Sequence, residues 1–326
     1  MYGGVSGVSE RAYDPRAVRS SGLAKGMRIA AWGLVAAGIA APPLRRRLRL
    51  RPQVVTAAAV AAPIALSVAA KRSAARDVGA AVLQMWGYLA HYEMPNDDPD
   101  KLAARVRIDY PIRADKVLGL GTLPGLRLQR ALARDGAIRR HEAVLVWAHW
   151  VWFAVPHGTV AYVLARRRER FARTAAHVYA VFDLGLVAYW AVPTAPPWYA
   201  AREGRADADL RRMMVEHGEA VWKERWQPLY GFLGGNPLAA MPSLHFATSV
   251  MAAHMLAETG PIAGALGWAY AVTLGFALVY LGEHYVIDLL AGLALTEGVR
   301  IAAPAMTPAA TRLSRWIQRL EAAAHP

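Results

Sequence analysis

Residues Ile262–Tyr280 read IAGALGWAYAVTLGFALVY, nineteen positions without one charged side chain. A bilayer core about 30 Å thick takes roughly 20 apolar residues of helix at about 1.5 Å each. This stretch alone therefore predicts a helix that crosses a membrane. Downstream, Tyr285–Ala303 has the same character, and upstream so do Leu238–Ala257, Ala175–Val192 and Ala143–Ala165. Two Ala/Val-rich runs nearer the N-terminus, Ile29–Leu44 and Gln53–Ala70, sit close to the lower length limit. They contain Pro42, Pro43 and Pro63, which membrane helices tolerate better than soluble ones. The pattern predicts an all-α, polytopic membrane protein with six to seven spanning helices.

Composition agrees. Of 326 residues 55% are apolar and 19% charged, and mean hydropathy is positive, which excludes a disordered chain or a coiled coil. There is no cysteine, so disulfides, cysteine nucleophiles, thiolate zinc sites and iron–sulfur clusters are excluded. Lys plus Arg number 38 against 24 Asp plus Glu, a net charge of +14. The excess falls in blocks beside apolar runs, Arg45, Arg46, Arg47, Arg49 and Arg51 in one, Arg166, Arg167, Arg168, Arg170 and Arg173 in another. That is the charge bias of cytoplasmic loops, and it argues against a nucleic-acid partner, which would want basic and aromatic residues interleaved on a soluble surface.

Charge parity then predicts a layout. Residues 1–26 form a polar tail without a signal peptide, 27–70 hold the N-terminal membrane helices, and 71–142 is an external or interfacial amphipathic segment. Residues 143–303 form the membrane core, and 304–326 a basic cytoplasmic tail. With the 166–173 block inside, 193–237 and 281–284 face outside. The N-terminus also falls outside despite Arg11, Arg16, Arg19 and Lys25, unless one N-terminal run only dips into the membrane.

Two short stretches carry chemistry. Met241-Pro242-Ser243-Leu244-His245 opens one apolar helix, and Gly282-Glu283-His284-Tyr285-Val286-Ile287-Asp288 opens the last. Parity puts both at the outer membrane face. His284 and Asp288, four apart, share a helix face roughly 5–6 Å apart. A carboxylate there accepts a hydrogen bond from one imidazole nitrogen and leaves the other free. Ionisable groups at membrane depth point by default to function. His91, His141, His177, His217 and His254 need no reading beyond interfacial placement. His149 and His157, eight apart on one helix, suit packing or inter-helix hydrogen bonds. Two His and one Asp suit a facial metal triad, although no His-Glu-x-x-His pair or carboxylate cluster accompanies them. Ser243 with His284 and Asp288 suits a serine hydrolase, although Pro-Ser-Leu-His is not the Gly-x-Ser-x-Gly elbow. Phosphoryl transfer through a histidine nucleophile, with a second histidine as acid, suits them as well.

Pro242-Ser243-Leu244-His245 resembles the second signature (Pro-Ser-x-His) of the type 2 phosphatidic acid phosphatase superfamily, and His284-x-x-x-Asp288 resembles the end of its third. The 39-residue spacing of the histidines is also similar, and the resemblance covers 143–303. Met-Pro-Ser-Leu-His and His-Tyr-Val-Ile-Asp look closest to the inositol phosphorylceramide synthase branch. Departures are informative. The family's first signature is a Lys, six residues, then Arg-Pro, where this chain has Pro193-Thr194-Ala195-Pro196-Pro197-Trp198. Its third has an Arg six residues before the histidine, where this chain has Leu278.

The resemblance implies a six-helix core and a metal-independent enzyme without cofactor, in the cell membrane, with its site on the extracytoplasmic face. His284 would be the nucleophile, Asp288 its orienting partner and His245 the acid. Ser243 would bond a phosphoryl oxygen, and Arg113, Lys116, Arg130, Arg202 and His157 are the candidate phosphate ligands. The expected reaction moves a phosphorylated head group, an inositol phosphate in that branch, from a membrane phospholipid to a lipid alcohol through a phosphohistidine. The alternatives are a lipid phosphate phosphatase of the same superfamily and a non-enzymatic lipid-binding or transport protein.

Overall fold

Proline marks where many helices begin. Pro52, Pro99, Pro124, Pro197 and Pro261 stand in the first turn of a helix, where a missing N–H costs nothing and φ is already helical. The computed structural model describes residues 15–134, 139–233 and 235–326. Among them there is no β-strand, only isolated bridges of Thr194 with Arg107 and Ala239. In chain order come α1 (Pro15–Leu44), α2 (Pro52–Ala69), α3 (Ala74–Glu93), α4 (Pro99–Ala103), α5 (Asp109–Leu118) and α6 (Pro124–Leu132). Then follow α7 (Arg140–Trp150), α8 (Ala154–Arg166), α9 (Phe171–Ala191), α10 (Pro197–Arg202) and α11 (Met213–Trp222). Last are α12 (Trp226–Leu233), α13 (Leu244–Ala257), α14 (Pro261–Tyr280) and α15 (Val286–Ala324). The part of the expected polar tail before Pro15, with Arg11, lies outside the described residues; from Pro15 onward that tail is already helix.

The chain divides into two compact units, Met1–Gly87 with Pro308–Pro326, and Tyr88–Thr307. In the first, α1 and α2 form a hairpin. Gly38 lies so close to α2 that a Cβ there would meet Ala62 Cβ at 2.4 Å and the Ala58 carbonyl at 2.7 Å, the close approach that small residues allow between membrane helices. Ala31, Val35, Ala62, Ala65, Leu66 and Leu83 are buried together with Ala324 from the far end of the chain. Leu23, Ile29, Trp32 and Ile39 stay exposed, as side chains facing lipid would.

This unit corrects the parity layout. Arg76 and Arg72 pair with Glu321 at 2.8 and 3.2 Å, and the imidazole of His325 bonds the Val68 carbonyl at 3.0 Å. Residues 68–76 and the C-terminal tail therefore lie together. The segment 71–142 and the tail 304–326 cannot face opposite sides along their whole lengths. Helix length is the reason. The short apolar piece at 80–89 belongs to the 20-residue α3, about 30 Å long. The last helix does not stop at 303 but runs 39 residues, about 58 Å.

In the second unit, α9, α13 and α14 supply Val178, Val181, Phe182, Val250, Met251, Leu274 and Leu278, all without exposure. Among the described residues three helices are long and apolar enough to cross a membrane, Gly22–Leu44, Pro52–Ala69 and Pro261–Tyr280. The expected span 143–165 is instead broken into α7 and α8. Pro156 lacks an N–H, and its ring excludes a regular turn around residue 152. The expected span 238–257 is helical only from Leu244. Pro237 and Pro242 stand in a non-helical approach of turn and bend, and the Asn236 carboxamide oxygen accepts the Leu238 N–H at 3.0 Å.

Candidate active site

The approach to α13 is built around Ser243. Its hydroxyl oxygen accepts the Phe246 N–H, a side-chain cap that ends that approach and starts the helix. Tyr189 fixes the same turn from α9, donating its hydroxyl to the Pro242 carbonyl at 2.9 Å. His245 thus sits in the first turn of α13.

His284 is reached differently from the expectation. It does not lie on the last helix but in the loop 281–285 between α14 and α15. Gly282 makes that loop possible. It has φ +80, and a Cβ there would meet the Arg211 carbonyl at 2.4 Å, so a glycine is required twice over. Asp288 stands in the first turn of α15, fully buried. Its Oδ2 accepts the Tyr285 N–H at 2.9 Å and lies 3.2 Å from Nδ1 of His284. The carboxylate caps its own helix and holds the imidazole with one oxygen. Nε2 of His284 is 3.2 Å from Nδ1 of His245. The Ser243 N–H donates to the Asp288 main-chain carbonyl at 2.9 Å, tying the two stretches directly. Carboxylate, imidazole and imidazole are thus linked one to the next, Asp288 to His284 and His284 to His245.

The surroundings are aromatic. Trp152, from the break between α7 and α8, lies with its ring 4.2 Å from that of His245, and the His149 ring is 4.9 Å away on another side. Nδ1 of His149 is buried without a partner among the described residues.

Of the candidate phosphate ligands, the structure brings only Ser243 to the histidine pair, and its hydroxyl oxygen is engaged as the cap of α13. Arg113 and Lys116 point to solvent from α5. Arg130 is paired with Asp207 and Asp209 at 2.9 and 3.0 Å. Arg202 pairs with Glu203 and lies over the Tyr199 ring. His157 bonds the Phe153 carbonyl at 2.8 Å and stacks on the Phe153 ring.

Residues without a motif stand nearer. Asp115, only 1% exposed, accepts the Ile287 N–H at 3.0 Å and so caps α15 from α5. Burial pushes its carboxyl up to about 6 against the pull of that N–H, and the Asp288 charge adds to the rise. Gln129 on α6 donates to the carbonyls of Tyr280 and Arg211 and accepts the Arg211 N–H, all at 2.8–2.9 Å. Together these two side chains clasp both ends of the loop that carries His284. Arg212 meets Glu283, the neighbour of His284, through Nε at 2.9 Å and Nη2 at 3.2 Å. Burial works against its charge, but the Glu283 carboxylate outweighs it and holds the guanidinium above its ordinary range. A helical reading of 109–118 had the signal for Asp115, since Pro111, Ile112 and Asp115 share the buried face and Arg113 and Lys116 the opposite one.

No curated protein and no solved structure matches the chain. A family model described as the PAP2 superfamily matches residues 113–301. The match starts thirty residues before the resemblance read from the motifs, and so takes in Asp115 and Gln129. It covers more than half of the sequence and both histidine stretches, and on that footing the chain belongs to the PAP2 superfamily, whose members are generally phosphatases or phosphotransferases.

Proposed function

We propose that the protein is an integral-membrane lipid phosphotransferase working through a phosphohistidine on His284, at the extracytoplasmic end of a six-helix core. Family membership supports the coarser lipid phosphatase or phosphotransferase function. The observation that carries the finer reading is the pair of contacts Asp288 Oδ2 to His284 Nδ1 and His284 Nε2 to His245 Nδ1, both 3.2 Å. With Nδ1–H held by the carboxylate, His284 presents its Nε2 lone pair, and Asp288 stabilises the imidazolium that forms as charge develops. Nε2 attacks phosphorus. The N–P bond forms as the bond to the diacylglycerol oxygen breaks, and His245 donates its proton to that oxygen. An acceptor hydroxyl then attacks the phosphohistidine and returns a proton to His245, releasing His284. With a lipid alcohol as acceptor the product is a new phospholipid; with water it is the free phosphorylated head group.

The transferase reading draws on Pro193–Trp198. Where phosphatases of the family carry cations, this segment presents rigid apolar and aromatic surface, suited to an acyl chain or lipid alcohol beside the phosphohistidine. The test is competition between acceptors. A phospholipid labelled in its head group is supplied with and without diacylglycerol or ceramide, and the label is followed. Transfer to the added alcohol is expected, abolished together with the covalent phosphoenzyme in His284→Ala. His245→Ala should slow turnover by about 10²–10⁴ and be partly rescued by a nitrophenyl leaving group. Release of phosphate from phosphatidic acid far faster than any head-group transfer would make the protein a phosphatase instead.

A further inference from the structure

Arg212 comes from the long connection between α9 and α13, outside the family motifs, yet four observations converge on it. Its guanidinium lies 3.8 Å from the ring centre of Trp198, on the very segment that stands where the family has its first Lys and Arg. Glu283, immediately before His284, grips it through Nε and Nη2. The Tyr230 hydroxyl takes a further bond from Nη2 at 2.7 Å. Gln129 fixes the backbone of Arg211 beside it. Nη1 is left with no partner among the described residues. His149, which packs against His245, is within electrostatic reach of Arg212, Glu283 and His284 alike. This arginine is therefore anchored on three sides and free on one edge, with its partner Glu283 adjoining His284 in the chain.

We infer that the Arg212–Glu283 pair is the specificity element of this site, binding the head-group phosphate of a phosphodiester lipid through Nη1 and selecting against a phosphomonoester. The inference rests on the phosphotransferase reading for the reaction and adds the charge class of the substrate. A phosphodiester carries one negative charge at neutral pH, whereas a monoester carries about 1.5 to 2. A lone arginine would favour the monoester. Paired with a carboxylate only 8% exposed, it offers a directed donor but little net charge. The second charge of a monoester meets Glu283 at short range with nothing to balance it. Tyr230 and Trp198 hold the guanidinium plane, so the donor edge is oriented before substrate arrives.

The experiment separates this inference from the reaction. Short-chain phosphatidylinositol and short-chain phosphatidic acid are titrated into the full chain in detergent, in a His284→Ala background where no chemistry occurs. The diester is expected to bind more tightly. Glu283→Gln keeps the acceptor oxygen for Arg212 and removes the charge, and should shift the ratio of the two affinities toward phosphatidic acid by about tenfold or more. Arg212→Gln should weaken both ligands. Arg212→Lys, which keeps the charge but not the fork, should lose most of the diester affinity, and its thermal unfolding shows whether the fold is intact. A ratio unchanged by Glu283→Gln, or diester binding unchanged by Arg212→Gln, would overturn the inference. If the ratio shifts as expected while the unmutated protein turns over no phospholipid, the charge selection stands and the phosphotransferase reading falls.

Discussion

Asp115 offers a quantitative test of how α15 is held. The side chain is buried, its Oδ1 takes the Ile287 N–H, and its carboxyl is raised from 3.8 to about 6. A carboxyl that is less acidic when folded means that the folded state holds the proton more tightly than the unfolded chain. Its contribution is therefore complete below the unfolded value near 3.8 and is lost as pH rises through 6. At about 1.36 kcal/mol per pH unit the whole change is on the order of 3 kcal/mol, of which about 2 kcal/mol falls between about pH 4.5 and 7.5. Asp115→Asn keeps an oxygen for the Ile287 N–H and cannot ionise. Stability of the variant relative to the unmutated protein should thus climb over that interval and level off above it. With an unfolding entropy of roughly 2.1 cal/mol/K per residue, the relative gain is about 3 °C in Tm. The assay is thermal unfolding of both proteins in one detergent, followed by tryptophan fluorescence at half-unit pH steps. A Tm difference that is flat across the interval would show that the buried carboxyl does not titrate there, and the account of the α5 cap would be wrong.

Gly282→Ala should cost at least tenfold in phosphoenzyme formation measured by rapid quench. A left-handed φ costs a Cβ roughly 1–2 kcal/mol, and the clash with the Arg211 carbonyl must also shift the loop that carries His284; Gly298→Ala on α15, where a Cβ meets nothing within 4 Å, should leave it unchanged, and equal losses in both would refute the geometric argument. Ser73→Cys and Ala323→Cys in this cysteine-free chain should share one response to an impermeant maleimide in intact cells, because Arg72 and Arg76 pair with Glu321; labelling of only one of them would separate the two ends and dismiss those ion pairs.

What the sequence disclosed follows from the range of each interaction. His245, His284 and Asp288 stand in short motifs, and the contact of His284 with Asp288 spans four residues, so both were legible. The contact of Asp115 with Ile287 spans 172 residues and that of Gln129 with Tyr280 spans 151. Each ends on a backbone group, and a backbone N–H or carbonyl leaves no mark on the identity of its owner. Arg212 stands in the sequence as one of several external candidate cations, Arg113, Lys116, Arg127, Arg130, Arg202 and Arg211 among them, with nothing to set it apart. Its anchors, Trp198, Tyr230 and Glu283, come together only in the fold. The break after Trp150 had a signal in Pro156, but a hydropathy window averages over a single proline. Charge parity failed at residues 72–76 for a related reason. It counts Lys and Arg by loop and has no means of seeing that Arg76 is only 9% exposed and paired with Glu321.

The resting contact between the imidazoles sets a condition on the proposed reaction. In-line attack needs phosphorus about 3–3.5 Å from Nε2 of His284, with the leaving oxygen about 2.6–3.2 Å from Nδ1 of His245. The two nitrogens must then stand roughly twice as far apart as the 3.2 Å between them now. Substrate therefore enters by parting them. His284 is pinned by Asp288 at one nitrogen and by the tight loop at its backbone, whereas His245 is held in place by ring contacts with Trp152 and His149. On the proposed reaction His245 is the ring expected to move. In the proposed reaction the resting His245 Nδ1–H caps the Nε2 lone pair of His284, and a hydrogen bond of this kind is worth about 0.5–1.5 kcal/mol net. Without that cap, Nε2 should react with a small electrophile about two- to tenfold faster. The measurement is carbethoxylation of His284 by diethylpyrocarbonate, quantified at that peptide by mass spectrometry in the unmutated protein and in His245→Ala. His254, which bonds Glu297 at 2.8 Å remote from this change, serves as the internal reference. Faster modification of His284 with His254 unchanged is expected. A rate at His284 that stays the same or falls in His245→Ala would mean that its lone pair is not capped by His245, and the order of proton and lone pair between the two rings would have to be reversed.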